Sequence, residues 1–140
     1  MNLIIEAPGD ATFHAEYRPR MEYKFLMRAL YTLQTNISCG KLVGNEFVML
    51  SPTGLLMMAE GYAWNGASGP AIDTVDFVRG SGTHDALYQL IREGHIGMEH
   101  RKAADELLRT IALEDNMLKI RANWVYLGVR IGGRYYTRSN

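Results

Sequence analysis

The chain has 140 residues, and its 47% hydrophobic and 21% charged residues are typical of a folded domain and exclude a disordered protein. This length fits one domain that buries a core without disulfides. Basic and acidic residues are equal at 15 each, which argues against a protein that coats nucleic acid and against a polybasic membrane binder. Cys39 is the only cysteine, so an intrachain disulfide and a zinc ribbon are excluded, and a reducing cytosol is the expected compartment.

Neither a secretion signal nor a membrane span is predicted. Residues 1–6 contain no basic segment of the kind that opens a signal peptide. The longest apolar run, residues 55–59, is far shorter than the roughly 20 residues that cross a bilayer. We therefore expect a soluble chain that carries no export signal of its own.

The first half of the chain is predicted to form antiparallel strands. Apolar and polar residues alternate over residues 22–33, which favours a strand with one buried face. A helix is the alternative for this segment, because Leu, Met, Ala and Arg favour helices. Turn sequences separate three shorter strands that form a small β-meander, predicted at residues 41–43, 46–50 and 55–60.

The second half has the periodicity of helices. Ser81 or Thr83 is expected to cap a first helix that ends at Gly94. A second helix repeats apolar residues three and four apart over residues 104–112. A third helix is expected to end at the two glycines 132–133. It carries apolar residues alternately three and four apart, namely Met117, Ile120, Trp124, Leu127 and Ile131.

These elements predict one α+β domain in which a small antiparallel sheet packs against about three helices. No segment has the composition of an interdomain linker, so the domain is expected to cover residues 1–140. Its predicted parts are a sheet half at about 1–62, a loop at 63–80, a helical half at 81–131, and a basic, aromatic tail at 132–140.

Positive charge is concentrated at the end of the chain. Residues 116–140 contain no acidic residue, and their basic residues are Lys119, Arg121, Arg130, Arg134 and Arg138. Basic residues near the C-terminus of a helix complement its dipole, which is a structural explanation for this pattern. The alternative is a partner-facing surface, because arginine and aromatic residues are enriched where proteins meet. The residues assigned to that surface are Arg134, Tyr135, Tyr136 and Arg138.

Strongly hydrogen-bonding residues alternate with small ones where the predicted strands give way to helices. Such a seam between layers is a common place for a cleft. The residues assigned to binding or to the structure of this seam are Trp64, Asn65, Ser68, Asp73, Arg79, Ser81, Tyr88 and Arg101. The glycines at 66 and 69 do not form a phosphate-binding loop, because no GxGxxG or P-loop lysine is present.

Three residues of the helical half are candidates for catalysis, namely His84, Asp85 and Asp105. His84 and Tyr88 are four residues apart and share a helix face, as do Arg101 and Asp105 on the next helix. Each candidate also has a structural interpretation. Asp85 complements a helix dipole, the Arg101–Asp105 pair is a solvated ion pair, and His84 is a hydrogen-bonded structural histidine.

A metal site is the most specific chemical alternative for these residues. His84 and Asp85 are adjacent and could both bind one ion, joined by Asp105 or Asp73, with an open position for water. The other histidines do not complete a helical metal-binding pattern. Nucleophilic catalysis by Ser68 or Ser81 lacks the G-x-S-x-G elbow, and Cys39 has no obvious activating group.

Three segments resemble a family encoded by bacteriophages and prophages that is known only as a domain of unknown function. They are residues 61–68 (GYAWNGAS), 84–88 (HDALY) and 101–105 (RKAAD), and the resemblance covers about residues 22–131. The family usually has aspartate where this chain has Asn65, which retains the geometry of an Asx turn but lacks a carboxylate. The resemblance implies a phage-related origin and brings no established reaction with it.

Two functions follow as expectations. The first is a non-enzymatic phage protein, a virion or tail-associated component or an assembly accessory, without a cofactor. It would bind other virion proteins or itself, and would occur in the host cytoplasm during assembly, with the virion as a further location. It would not bind a specific nucleic-acid sequence. The alternative is a metal-dependent hydrolase that acts on the host cell envelope or on a phosphoester, with a divalent ion near His84 and Asp85.

Overall fold

Eight strands precede three helices along the chain, which confirms the predicted α+β class. The computed structural model describes residues 3–66 and 74–137, with side chains up to residue 133. The strands are β1 Leu3–Ala7, β2 Asp10–Tyr17, β3 Phe25–Met27, β4 Tyr31–Gln34, β5 Val43–Gly44, β6 Val48–Leu50, β7 Leu55–Met58 and β8 Ala63–Trp64. The helices are α1 Val75–Arg92, α2 Arg101–Glu114 and α3 Lys119–Thr137, with a 3-10 turn at Met98–His100.

The strands form two antiparallel four-stranded sheets rather than one small sheet. Their orders are β1-β2-β3-β8 and β4-β7-β6-β5. The predicted meander is the part β5-β6-β7, in which consecutive strands pair. Aromatic and aliphatic residues from both sheets join residues of α1 in one core, so the sheets and the first helix stabilise each other.

The prediction of one strand over residues 22–33 is wrong, because a bend divides that segment between the sheets. Phe25 and Met27 lie in β3, and Tyr31 begins β4. These three side chains are buried, whereas Leu30 in the bend is exposed. Alternation of apolar and polar residues indicates only which face of a segment is buried. Because both sheets pack on the same core, the alternating burial continues across the bend from one sheet to the other.

Helix α1 begins at Val75, so the predicted caps Ser81 and Thr83 and the end of the predicted loop are wrong. The Ser81 hydroxyl donates to the Val78 carbonyl oxygen, and Thr83 donates to carbonyls one turn earlier. Their polar groups are therefore satisfied inside the helix. A Cβ at Gly82 would lie 2.7 Å from the Trp64 ring, so this glycine lets the sheet approach the helix. The predicted end at Gly94, which has φ 79°, is confirmed.

Helix α3 differs from its prediction in two ways. It continues through Gly133 to Thr137, and a Cβ at Gly133 would lie 2.8 Å from the Arg101 Nη1 atom. A glycine can thus occupy a helix interior where close packing requires it. The apolar residues Ile120, Trp124, Leu127 and Ile131, which a helix packed on a sheet usually buries, are exposed instead. The opposite face, with Ala122, Val125 and Val129, packs inward.

Candidate functional site

The Asp105 carboxylate is the centre of a buried polar cluster between the three helices. Its Oδ1 atom lies 2.7 Å from His84 Nε2 and accepts a hydrogen bond from the Tyr88 hydroxyl. Its Oδ2 atom accepts from Arg130 Nη1 at 2.8 Å and lies 3.5 Å from Arg101 Nη1. We call His84, Tyr88, Arg101, Asp105 and Arg130 the Asp105 cluster. Asp105 has no exposed surface, so its charge depends on these four partners.

The helices supply these side chains by simple periodicity. His84 and Tyr88 lie one turn apart on α1, and their ring centroids are 4.0 Å apart, which confirms the predicted common face. Arg101 and Asp105 lie one turn apart on α2. The interpretation of these two residues as a solvated ion pair is wrong, because both side chains are at least nine-tenths buried. Arg130 reaches the cluster from α3, which residue spacing in α1 and α2 could not indicate.

Electrostatics keep Asp105 ionised. Burial alone would raise the pKa of Asp105, but hydrogen bonds from His84 and Tyr88 and the charge of His84 lower it below its ordinary value. Burial, together with the nearby Asp105, raises the pKa of Tyr88, so its hydroxyl remains a donor. An ionised carboxylate only accepts, so Nε2 of His84 carries the proton in their hydrogen bond.

The second nitrogen of His84 is not used by the fold. Among residues 3–66 and 74–137, none forms a hydrogen bond with His84 Nδ1, and 11% of the side chain is exposed. When the ring is neutral, Nε2 donates to Asp105 and Nδ1 has the lone pair. The cluster therefore holds the ring in one orientation and selects one tautomer of its neutral form.

Asp85 is adjacent to His84 in sequence but does not join the cluster. Burial raises the pKa of Asp85, and the nearby charges of His84 and Arg92 offset part of this effect. Its charge in turn acts on Tyr62 in the sheet half. In the described part of the chain its carboxylate has no hydrogen-bond partner. A half-buried carboxylate without a hydrogen-bond partner is costly to the fold when it is charged.

A second buried network contains only one residue that was predicted from the sequence, Arg79. Arg79 is 2% exposed and donates to Asp115 at 3.0 and 3.1 Å, to Glu114 at 2.8 Å and to the Tyr31 hydroxyl at 3.0 Å. Its Nη1 also lies 3.6 Å from Asp10. We call these five residues the Arg79 cluster. Its members come from β2, β4, α1 and the end of α2, and no local pattern links segments so far apart in sequence.

The remaining seam residues lie apart from the Asp105 cluster. Trp64 is buried and donates from Nε1 to the Ser81 hydroxyl at 3.1 Å. That hydroxyl is thus used as donor and acceptor, so Ser81 is not available as a nucleophile. Asn65 is exposed, and Gly66 beside it has φ 78°, as a turn requires. Ser68 and Asp73 lie outside the described residues.

The tail that the sequence predicts to face a partner is described as backbone up to residue 137 and lies outside the described residues beyond it. The side chains of Arg134, Tyr135 and Tyr136 lie outside the described ones, and Arg138 lies outside the described residues. Their assignment stays a prediction.

The metal prediction has one geometric difficulty. Asp105 already accepts from His84 and Tyr88, and two guanidinium groups beside it would repel a cation. Over residues 3–66 and 74–137, no group of three His, Cys, Asp or Glu side chains could hold a metal ion. Asp85 is the candidate ligand that the cluster leaves open.

No protein family, curated protein or solved structure matches the chain. The resemblance to a phage family, and the origin that it implies, therefore stay predictions. The helices within the described ranges are too short or too polar to cross a bilayer.

Proposed function

We propose that the chain is an ester hydrolase in which His84 is the general base and Asp105 orients its ring. The observation that carries this proposal is the 2.7 Å contact between His84 Nε2 and the fully buried Asp105, with Nδ1 left unbonded in the described part of the chain. A carboxylate that fixes the tautomer and stabilises the imidazolium is the usual support of a basic histidine.

Water is the nucleophile that fits this arrangement. The hydroxyls of Ser81 and Thr83, the nearest ones along α1, are bonded within the fold, so neither is activated. His84 Nδ1 would accept a proton from water while the water oxygen attacks the acyl or phosphoryl centre. The imidazolium would then donate this proton to the departing alkoxide, which returns His84 to its neutral form. The products are an acid and an alcohol.

Asp85 is the residue that would bind a divalent cation in this reaction. Its carboxylate directly follows His84 in α1 and has no hydrogen-bond partner in the described ranges. Hard cations such as Ca²⁺ and Mg²⁺ bind carboxylate, carbonyl and water oxygens, and they polarise a substrate oxygen. Asp85 would hold such an ion, while His84 and Asp105 would activate water without contacting it.

The test is turnover of p-nitrophenyl carboxylic esters and of bis-p-nitrophenyl phosphate, with Ca²⁺, Mg²⁺ or a chelator. We expect wild-type hydrolysis above the buffer rate and a loss of about 100-fold in His84→Gln, because general-base catalysis contributes that much or more. The matched control is His14→Gln, which changes a half-exposed histidine paired with Glu6. Wild-type rates equal to buffer, or full activity in His84→Gln, would contradict the proposal.

One observation favours the non-enzymatic phage component as a second candidate. Arg101 donates to the backbone oxygens of Val129 and Arg130, and Arg130 donates to Asp105, so the same cluster fastens α3 to the other helices. Under this hypothesis His84 only stabilises the fold, and the chain binds virion proteins or itself. It predicts no hydrolysis by the wild type and a lower unfolding free energy in His84→Gln.

A further inference from the structure

Helix α3 exposes a continuous apolar stripe. The stripe consists of Ile120, Trp124, Leu127 and Ile131, of which Ile120 and Ile131 are 68% and 70% exposed and Trp124 is 70% exposed. Their spacing of four, three and four residues places them on one face of the helix. The opposite face packs on α1 and α2, so the stripe has no partner in the described part of the chain. Such a patch marks an interaction surface.

The stretch of chain that carries the stripe has basic residues and no acidic ones. Residues 116–137 contain Lys119, Arg121, Arg130 and Arg134 and no acidic residue. Arg121 and Arg130 are paired with carboxylates of α1 and α2, whereas Lys119 is exposed at the start of the helix. Although the whole chain has zero net charge, the segment that carries the exposed apolar face has an excess of basic residues.

We propose that α3 docks on the surface of an anionic lipid bilayer, with the stripe inserted at the level of the headgroups. A helix with Trp, Leu and Ile on one face and basic residues without acidic ones is suited to lie in that interface. Trp124 is the residue type that favours the headgroup level, and anionic lipids attract the basic segment.

A second copy of the chain is a poorer occupant. Asp76 and Asp105 offset the charges of Arg121 and Arg130 within each copy, so the like charges that a two-fold pairing of α3 would add together are those of Lys119 and Arg134. An anionic membrane neutralises the same charge and covers the same apolar face. This inference does not depend on the proposed hydrolase activity.

The experiment is vesicle flotation with phosphatidylglycerol, using phosphatidylcholine as the neutral comparison. We expect binding to phosphatidylglycerol that weakens with salt, and a loss of at least about tenfold in partitioning for Ile120→Ser combined with Trp124→Ser. The matched control is Leu30→Ser with Leu42→Ser, which removes two leucines of similar exposure in the sheet half. All these positions are exposed, so the variants should keep the wild-type circular dichroism.

Fluorescence gives a second readout of the same event. Trp64 is 1% exposed and should emit unchanged, whereas the emission of Trp124 should shift to the blue when vesicles are added. Trp124→Phe should abolish this shift. Absence of binding to phosphatidylglycerol, or equal binding by the stripe variant, overturns the proposal. A dimer without lipid that the stripe variant dissociates also overturns it, in favour of a second copy.

Discussion

The Asp105 and Arg79 clusters are both buried networks of arginine and carboxylate that link α1 to α2, yet they differ in one respect. Each nitrogen of the Arg79 guanidinium donates a hydrogen bond, Nε to Asp115, Nη1 to Tyr31 and Nη2 to Glu114. The Asp105 cluster includes His84, whose Nδ1 atom has no partner in the described part of the chain. We infer that a buried ionic network points to chemistry only where one titratable group is held in place and keeps an atom without a partner.

The strongest destabilisation is expected from disrupting the Arg79 cluster. Arg79→Met should lower the free energy of unfolding by about 3–5 kcal/mol, because it leaves Asp115 buried without its cation. Urea denaturation would measure the change. The control Arg28→Met removes an exposed partner of Glu16 and should cost less than about 1 kcal/mol. A loss as small as that of the control would mean that the Arg79 cluster does not stabilise the fold.

One tyrosine in each cluster donates its hydroxyl hydrogen to a carboxylate, and its loss should have a smaller effect. Tyr31→Phe removes the hydroxyl that donates to Asp10 at 2.8 Å, and Tyr88→Phe removes the one that donates to Asp105. Each should lower the unfolding free energy by about 1–2 kcal/mol, since the buried Arg79 loses the Tyr31 hydroxyl as an acceptor and the buried Asp105 loses a donor.

Under the proposed hydrolase function, only Tyr88→Phe should change catalysis. Its hydroxyl positions the Asp105 carboxylate on which His84 depends, so we expect kcat to fall roughly tenfold with KM unchanged. Tyr31→Phe should keep the wild-type kcat, because its cluster is separate from His84. Kinetics on folded protein would separate the two variants. Equal kcat values in both would remove Tyr88 from the positioning of the base.

Local signals accounted for the part of the site that lies along single helices. The spacing of His84 and Tyr88, the Arg101–Asp105 pair and the helix end at Gly94 are one-turn or one-residue features. They could be predicted because a helix imposes them wherever it packs.

The rest depended on tertiary contacts. Arg79 is separated from Tyr31 by 48 residues and from Asp115 by 36, so no motif links them. The face of α3 with Ile120 and Trp124 has the periodicity of a buried face, but the helix buries Ala122 and Val129 instead. Periodicity shows that a helix has an apolar face, whereas the contacts of the neighbouring helices decide whether that face is covered.

A smaller effect of the opposite sign is expected at Asp85, which follows His84 in the chain. Burial raises the pKa of Asp85 above its ordinary value of about 3.9, so the folded chain retains a proton that the unfolded chain has already released. The contribution of Asp85 to stability is therefore fully present below about pH 3.9 and is lost as the pH rises through the folded pKa. Above that point the charged carboxylate is a net cost to the fold.

Asp85→Asn should consequently raise the stability of the metal-free protein at pH 7, and its advantage over the wild type should vanish as the pH falls toward about 3.9. Urea denaturation in the presence of a chelator, repeated at several pH values, would measure this difference. The control Glu60→Gln changes an exposed carboxylate and should stay within about 0.5 kcal/mol at every pH. If Asp85→Asn is destabilising at pH 7 without metal, a partner inside the fold already satisfies Asp85, and the cation site that we assign to it is lost.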